Sequence, residues 1–296
     1  MMKRPLALLI GNGINDSTPG KGWGDVLDDI AAHCGLPALN KKGKPFPVIY
    51  DEIFLRALKT RDWDELEVKR FIATAVNEIS SNELHARVRA MNAEHVMTTN
   101  YDYAIQGIRP QKNEGLVFET TYSIFRKHQF GETTYWHIHG ECNYPASINL
   151  GYEHYCGQLQ HMRNYTVNGT QYQSKEVPKK SLVGRLRSNQ EPGFHSWIDL
   201  FFTHDVHIIG LTLDFVETDL WWLLTYRARL KYYKSKRKGT NSIKVDNQIH
   251  YYLPEKYEKE AESKLQVMEA NDVVIHRIPG PDKTPYYQEV FDRISK

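Results

Sequence analysis

Residues 6–15 read Leu-Ala-Leu-Leu-Ile-Gly-Asn-Gly-Ile-Asn. Five apolar residues run without a break into Gly11-Asn12-Gly13. A short continuous apolar run that stops at glycines predicts a strand buried on both faces, as a parallel sheet requires. The basic-then-apolar start resembles a signal peptide. Its apolar part covers only Leu6–Ile10, however, so a buried strand running into a glycine turn is the preferred reading.

Working outward, His95–Thr99, Thr133–Ile138, Asp205–Leu213, Ile249–Leu253 and Val273–Ile278 also read as strands, and Leu116–Tyr122 is a further candidate. Helical spacing fills the gaps. From Trp23 to Met91, apolar residues such as Val26, Leu27, Ile30 and Ala31, then Ile53, Phe54, Ala57 and Leu58, fall on one face, with Gly35–Pro47 as an interruption. Trp197–Phe202, Glu217–Leu230, Glu255–Glu269 and Tyr286–Ile294 are expected helices. Residues 157–192 are polar with few periodic cues and predict a mobile insertion. Lys231–Lys244 is a loop by composition. Strands alternating with helices predict an α/β, doubly wound, mainly parallel Rossmann-like sheet. A single domain over 1–296 is expected, with a helical insertion at 23–91 and a polar one at 157–192. In such folds the ligand sits at the carboxyl ends of the strands.

The chain has 296 residues, 38 of them basic and 36 acidic, for a net charge of +2. That balance gives no general attraction to nucleic acid or to an anionic membrane. No apolar run is long enough to span a bilayer. Cys34, Cys142 and Cys156 are dispersed and form no C-x-x-C pair, so no cysteine-based zinc site is expected. A cytoplasmic location is the expectation for such a chain.

Four strand ends carry polar clusters. Gly11-x-Gly13 lets backbone N–H groups approach a pyrophosphate, although a tight turn explains it equally well. The full dinucleotide pattern would need glycine at position 16, which is Asp16, and Gly20-Lys21-Gly22 is no Walker loop. Thr99-Asn100-Tyr101-Asp102 offers an amide and a carboxylate, against the plainer reading of a capped turn. Ile138-His139-Gly140 offers an imidazole that titrates near neutral pH. The alternating spacing of His137 and His139 is read as placing them on opposite faces of the strand, unable to share a metal, with His139 the better base. Gly210-Leu211-Thr212-Leu213 forms the fourth cluster. A cleft is expected where Gly11, Asn100 and His139 converge. Asp219 reads as an acidic residue complementing a helix N-terminus.

In this order the four clusters resemble the motifs of the sirtuin family, and more closely its prokaryotic sirtuin-like (SIR2-like) branch. Gly11-Asn12-Gly13-Ile14-Asn15 stands where sirtuins have Gly-Ala-Gly-x-Ser. Thr99-Asn100-Tyr101-Asp102 stands for Gln-Asn-x-Asp, Ile138-His139-Gly140 for Leu-His-Gly, and Gly210-Leu211-Thr212-Leu213 loosely for Gly-Thr-Ser-Leu. The zinc ribbon of two C-x-x-C pairs found in sirtuin deacylases is missing. The resemblance implies NAD as substrate and no metal. It implies catalytic roles for Asn100, Asp102 and His139, and NAD contacts from Gly11, Asn12, Gly13, Asn15, Thr99, Gly210 and Thr212. Relatives with helical elaboration and no ribbon are mainly NAD hydrolases of antiphage systems. A triggered NAD hydrolase is therefore the expectation, with a homo-oligomer or a regulatory subunit as the expected partner. An NAD or ADP-ribose sensor or scaffold is the alternative, and a zinc-free deacylase stands third.

Overall fold

The computed structural model describes the chain except residues 1–4, 18–22, 61–62, 118, 173, 189–192, 194, 233–242, 244 and 282. Strands β1 (Leu6–Ile10), β2 (His95–Thr98), β3 (His128–Phe130), β4 (Thr133–His137), β5 (Asp205–Ile209), β6 (Ile249–Pro254) and β7 (Val273–Ile278) form one sheet of order β3-β4-β2-β1-β5-β6-β7. All pairings are parallel except β3 with β4. From β1 the chain builds β2 and β4 on one side and returns to place β5 on the other, so the direction of winding switches between β1 and β5.

The helices are α1 (Trp23–His33), α2 (Phe46–Thr60), α3 (Glu65–Val76), α4 (Glu83–Ala90), α5 (Tyr152–Arg163), α6 (Leu182–Arg187), α7 (Trp197–Thr203), α8 (Thr218–Tyr232), α9 (Glu262–Ala270) and α10 (Thr284–Ser295). Strand side chains alternate between two apolar layers. Ala7, Leu9, Met97, Trp136, Val206 and Ile208 pack with α5 to α9. Leu8, Ile10, Val96, Tyr135 and Ile209 pack with α4 and α10. Burial on both faces explains why β1 is apolar throughout instead of alternating.

Most of the helical insertion covers neither face. Helices α1 to α3 build a third core with Tyr101, Tyr103, Cys142, Ile148 and Leu150. Those five residues lie on the loops that leave β2 and β4, so the insertion sits over the carboxyl edge of the sheet and braces the site loops. Asn82, the N-cap of α4, donates from its amide to the Ile14 carbonyl at 3.0 Å.

The structure corrects three expectations. The described residues of Leu116–Tyr122 form bends and no strand. The Glu119 carboxylate accepts the amides of Ile124, Phe125 and Arg126 and folds the segment back on itself. The edge strand is instead His128–Phe130. The described residues of segment 157–192 hold far more regular structure than their composition suggests. The segment contains most of α5, a π-type turn at Asn164–Asn168 and α6. Its polar residues are used inside: the Tyr165 hydroxyl bridges buried Asp199 at 2.8 Å and accepts from Arg185 at 2.6 Å. Glu255–Glu269 splits into a 3₁₀ turn at Glu255–Tyr257 and α9. Most of the expected loop Lys231–Lys244 lies outside the described residues. Lys231 itself belongs to the end of α8, where it pairs with Asp272 at 2.5 Å.

Candidate functional site

Parallel register sets the site. Ile10 is level with Thr98 and with Ile209, and Thr98 is level with His137. The residues that follow these four strands therefore emerge in one row: Gly11, Thr99, Ile138 and Gly210. Hydrogen bonds tie the row together. Gly11 N donates to Ile209 O at 2.9 Å, Gly13 N to Gly210 O at 2.8 Å, and Thr99 N to Ile10 O at 3.3 Å. The Asn15 amide donates to Asn12 Oδ1 at 2.9 Å and to Asp102 Oδ2 at 3.4 Å. His137 Nδ1 donates to the Asn100 carbonyl at 2.9 Å.

The glycines have a different use from the one the motif suggested. The amides of Gly11 and Gly13 are spent on β5 and are not free to cradle a phosphate. A Cβ on Gly11 would lie 2.4 Å from the Gly210 carbonyl oxygen and 2.6 Å from Leu211 Cα. Both are backbone atoms, so Gly11 exists to let β1 and the Gly210 turn touch.

Asn100 is 2 % exposed, and neither its Oδ1 nor its Nδ2 has a partner. An amide left unpaired in the interior costs roughly 1–3 kcal/mol. Its backbone, by contrast, is fixed, since its N–H donates to Thr98 Oγ1 at 3.0 Å. Asp102 accepts the Ala104 amide at 2.8 Å. Burial pushes its carboxyl up to about 6, against the pull of that amide and of Asn15.

His139 is also 2 % exposed, and its Nε2 lies 2.9 Å from Asp219 Oδ2. Burial alone would lower its pKa. The charge and hydrogen bond of Asp219, with a smaller push from Glu217, outweigh burial and leave it raised. The Tyr155 ring stands edge-on to the imidazole at 5.4 Å. Gly140 follows at φ +96°, and a Cβ there would meet the Ser147 carbonyl at 2.2 Å. Only glycine permits this turn. In a regular strand His137 and His139 would share a face, because side chains repeat every two residues. They diverge because β4 ends at His137 and the chain turns. His137 reaches Gln106 at 3.1 Å on one side, while His139 reaches α8 on the other.

Glu217, which no sequence motif singled out, precedes α8. One of its carboxyl oxygens is buried without a partner. Burial raises its pKa to about 8, helped by Asp219 and Asp214 and opposed by His139. Asp219 sits in the first turn of α8, as the macrodipole argument expected, and it also holds His139. That contact joins residues 80 positions apart and leaves no local trace in the sequence.

Asn100, Asp102 and His139 are buried and are not among the walls of the neighbouring open cavity. The open cavity, of about 590 Å³, lies beside them at the carboxyl ends of β5 and β6, next to the switch point. Gly13, Gly210, Thr212, Phe215, Tyr251 and Tyr286 are among its walls. Leu213, with φ +51° and 1 % exposed, holds the left-handed region within the turn below. Tyr251 donates to the Leu211 and Thr212 carbonyls at 3.1 and 3.2 Å.

Among the described residues, one group has the spacing to hold a metal: Glu94, His95 and His204. It lies at the amino ends of β2 and β5, across the sheet from the site. Burial holds the two imidazoles down at about 3 and 4, so they are neutral at ordinary pH. Trp136 Nε1 donates to His95 Nδ1 at 3.5 Å.

Fold and site together define an α/β protein whose parallel strand ends bring polar residues into one row. A family model described as a SIR2-like domain matches residues 94–187, which contain the Asn100 and His139 motifs. Over those residues the chain is similar to SIR2-like domains. No curated protein matches the chain. Among the described residues, no helix is long and apolar enough to cross a membrane.

Proposed function

We propose that this protein hydrolyses the nicotinamide–ribose bond of NAD, releasing nicotinamide and ADP-ribose. One observation carries the reading. Three buried polar side-chain atoms without partners lie at one row of strand ends: both amide atoms of Asn100, and Asn15 Oδ1. A fold leaves such atoms unpaired at a cost, and a polar ligand that enters there repays it. The hydroxyls of a ribose fit the set, since each can donate to an amide oxygen and accept from an amide N–H.

The chemistry needs little from the protein. The C1′–nitrogen bond breaks with its electron pair going to the pyridinium, so nicotinamide leaves neutral and needs no general acid. The sugar passes through an oxocarbenium-like state, as in glycoside hydrolysis. A water oxygen bonds to C1′, and its proton leaves through His139, directly or by way of a ribose hydroxyl. Asn100 holds the ribose or the water, and Asp102 orients it. The cavity with Gly13, Gly210 and Thr212 on its wall takes the adenosine side, where its tyrosines offer stacking faces. Its volume falls within the usual range for small-molecule sites.

The missing zinc ribbon supports hydrolysis over deacylation. The resemblance to ribbon-less antiphage relatives supports a role as a triggered effector of antiviral defence, controlled by self-assembly or a regulatory subunit. Incubating the purified chain with NAD, and following nicotinamide and ADP-ribose, tests the reading. Stoichiometric release supports it, and an inert chain under all assembly states overturns it. The burial of Asn100 and His139 beside an open cavity favours one second reading, a sensor that binds NAD without turnover. In that case NAD raises the melting temperature and remains intact.

A further inference from the structure

Resting on that reading of the site, we propose that Asp219 is a positioning residue for His139, fixing its tautomer so that Nδ1 is the nitrogen that takes the proton. The geometry is specific. Asp219 is fully buried and its Oδ2 lies 2.9 Å from His139 Nε2. An ionised carboxylate only accepts hydrogen bonds, so Nε2 must carry the hydrogen. The lone pair of the neutral ring is then on Nδ1. Asp219 lies in the first turn of α8, where the helix macrodipole suits a negative side chain.

The groups that face His139 are few. Asp219 and the preceding Glu217 approach from the α8 side, and Tyr155 approaches from α5. Tyr155 stands edge-on and limits rotation of the ring. When a hydroxyl gives up its proton, the O–H bond breaks and Nδ1–H forms. The imidazolium so created lies against the Asp219 charge until the proton passes to solvent. This is the orienting logic of a hydrolase triad, in which the carboxylate fixes the imidazole without itself being protonated.

The test is Asp219→Asn in the full chain, assayed with NAD. The expected result is a fall in kcat of roughly 100-fold or more with little change in KM. The acid limb of the pH profile should also move to lower pH, because His139 loses the charge that raises its pKa. Asp219→Glu should restore part of the rate, and it keeps the proposal testable if the Asn variant folds poorly. In the background of His139→Ala, Asp219→Asn should cost nothing more. Independent of turnover, nitrogen NMR of the labelled histidines, with His139 assigned through His139→Gln, should show the Nε2–H tautomer in the native chain and its loss in Asp219→Asn. An Nδ1–H tautomer in the native chain, or an unmoved pH limb in an Asp219→Asn variant that remains folded, overturns the role of Asp219. A chain that never cleaves NAD but shows the expected tautomer leaves that role standing and removes only the hydrolase reading.

Discussion

The two ends of the site are built on opposite principles. At the β2 and β4 ends, Asn100 and His139 are almost fully buried; the Asn100 side-chain amide has no partner, and His139 is held by Asp219. At the β5 and β6 ends, the cavity is open, aromatic and well satisfied, with Tyr251 tied to the turn it touches. On the proposed reading, the first end serves the chemistry and the second the binding. Substitutions at the two ends should therefore separate kcat from KM.

The largest effect should come from the buried end. Asn100→Ala and His139→Ala should each lower NAD turnover by roughly 100-fold or more, while NAD still raises the melting temperature. Loss of the thermal shift in either variant would mean that the two ends are not separable. His137→Ala should behave differently. Its ring holds the Asn100 carbonyl at 2.9 Å, so it should lose stability by about 1–3 kcal/mol as well as part of the activity.

Next in size is the seam between the ends. Gly11→Ala would drive a methyl into the Gly210 backbone, and overpacking of this kind costs about 1–3 kcal/mol. Chemical denaturation should show a lower midpoint with an unchanged slope. A neutral result would show that the seam can open.

A smaller effect is expected at the open end. Phe215 is 58 % exposed, stacks on Trp221 at 5.4 Å and lines the cavity. Phe215→Ala should raise KM several-fold, with kcat and melting temperature nearly unchanged. A large fall in kcat would tie this rim to the chemistry and erase the contrast.

The finest test is electrostatic. The Glu217 carboxyl titrates near 8 in the folded chain and near its ordinary 4.5 when unfolded. Between those values the native state binds the extra proton, so stability falls as pH rises through the window. Glu217→Gln removes that contribution. Its melting temperature should drop less than that of the parent chain between pH 5 and pH 8, and an equal drop would place Glu217 in water.

The strand ends were legible because buried parallel strands are apolar throughout and stop at residues that can turn. LALLI before Gly11 and HIIG around Gly210 show this directly. The register that aligns them follows from parallel pairing, so the row of motifs could be expected from their order. Segment 157–192 was not legible. Its polar residues satisfy one another inside, as Tyr165, Arg185 and Asp199 do, and periodicity registers only apolar faces. The His139–Asp219 pair was hidden for another reason: contact across the sheet edge depends on where β4 stops and α8 begins. The carbonyls at the Gly210 turn likewise claim the glycine amides that the motif seemed to leave free.

The central strand of the sheet lies outside the segment that bears the family signature. Residues 94–187 contain β2, β3 and β4, while β1, which pairs β2 on one side and β5 on the other, comes from the start of the chain. A fragment cut at those boundaries would present β2 as a bare sheet edge, open to aggregation. It would also strip α1 to α3 from Tyr101, Tyr103 and Ile148. The signature is thus a poor guide for excision: the smallest unit that could be transplanted and still hold its strand-end loops must take β1 and the helical insertion with it.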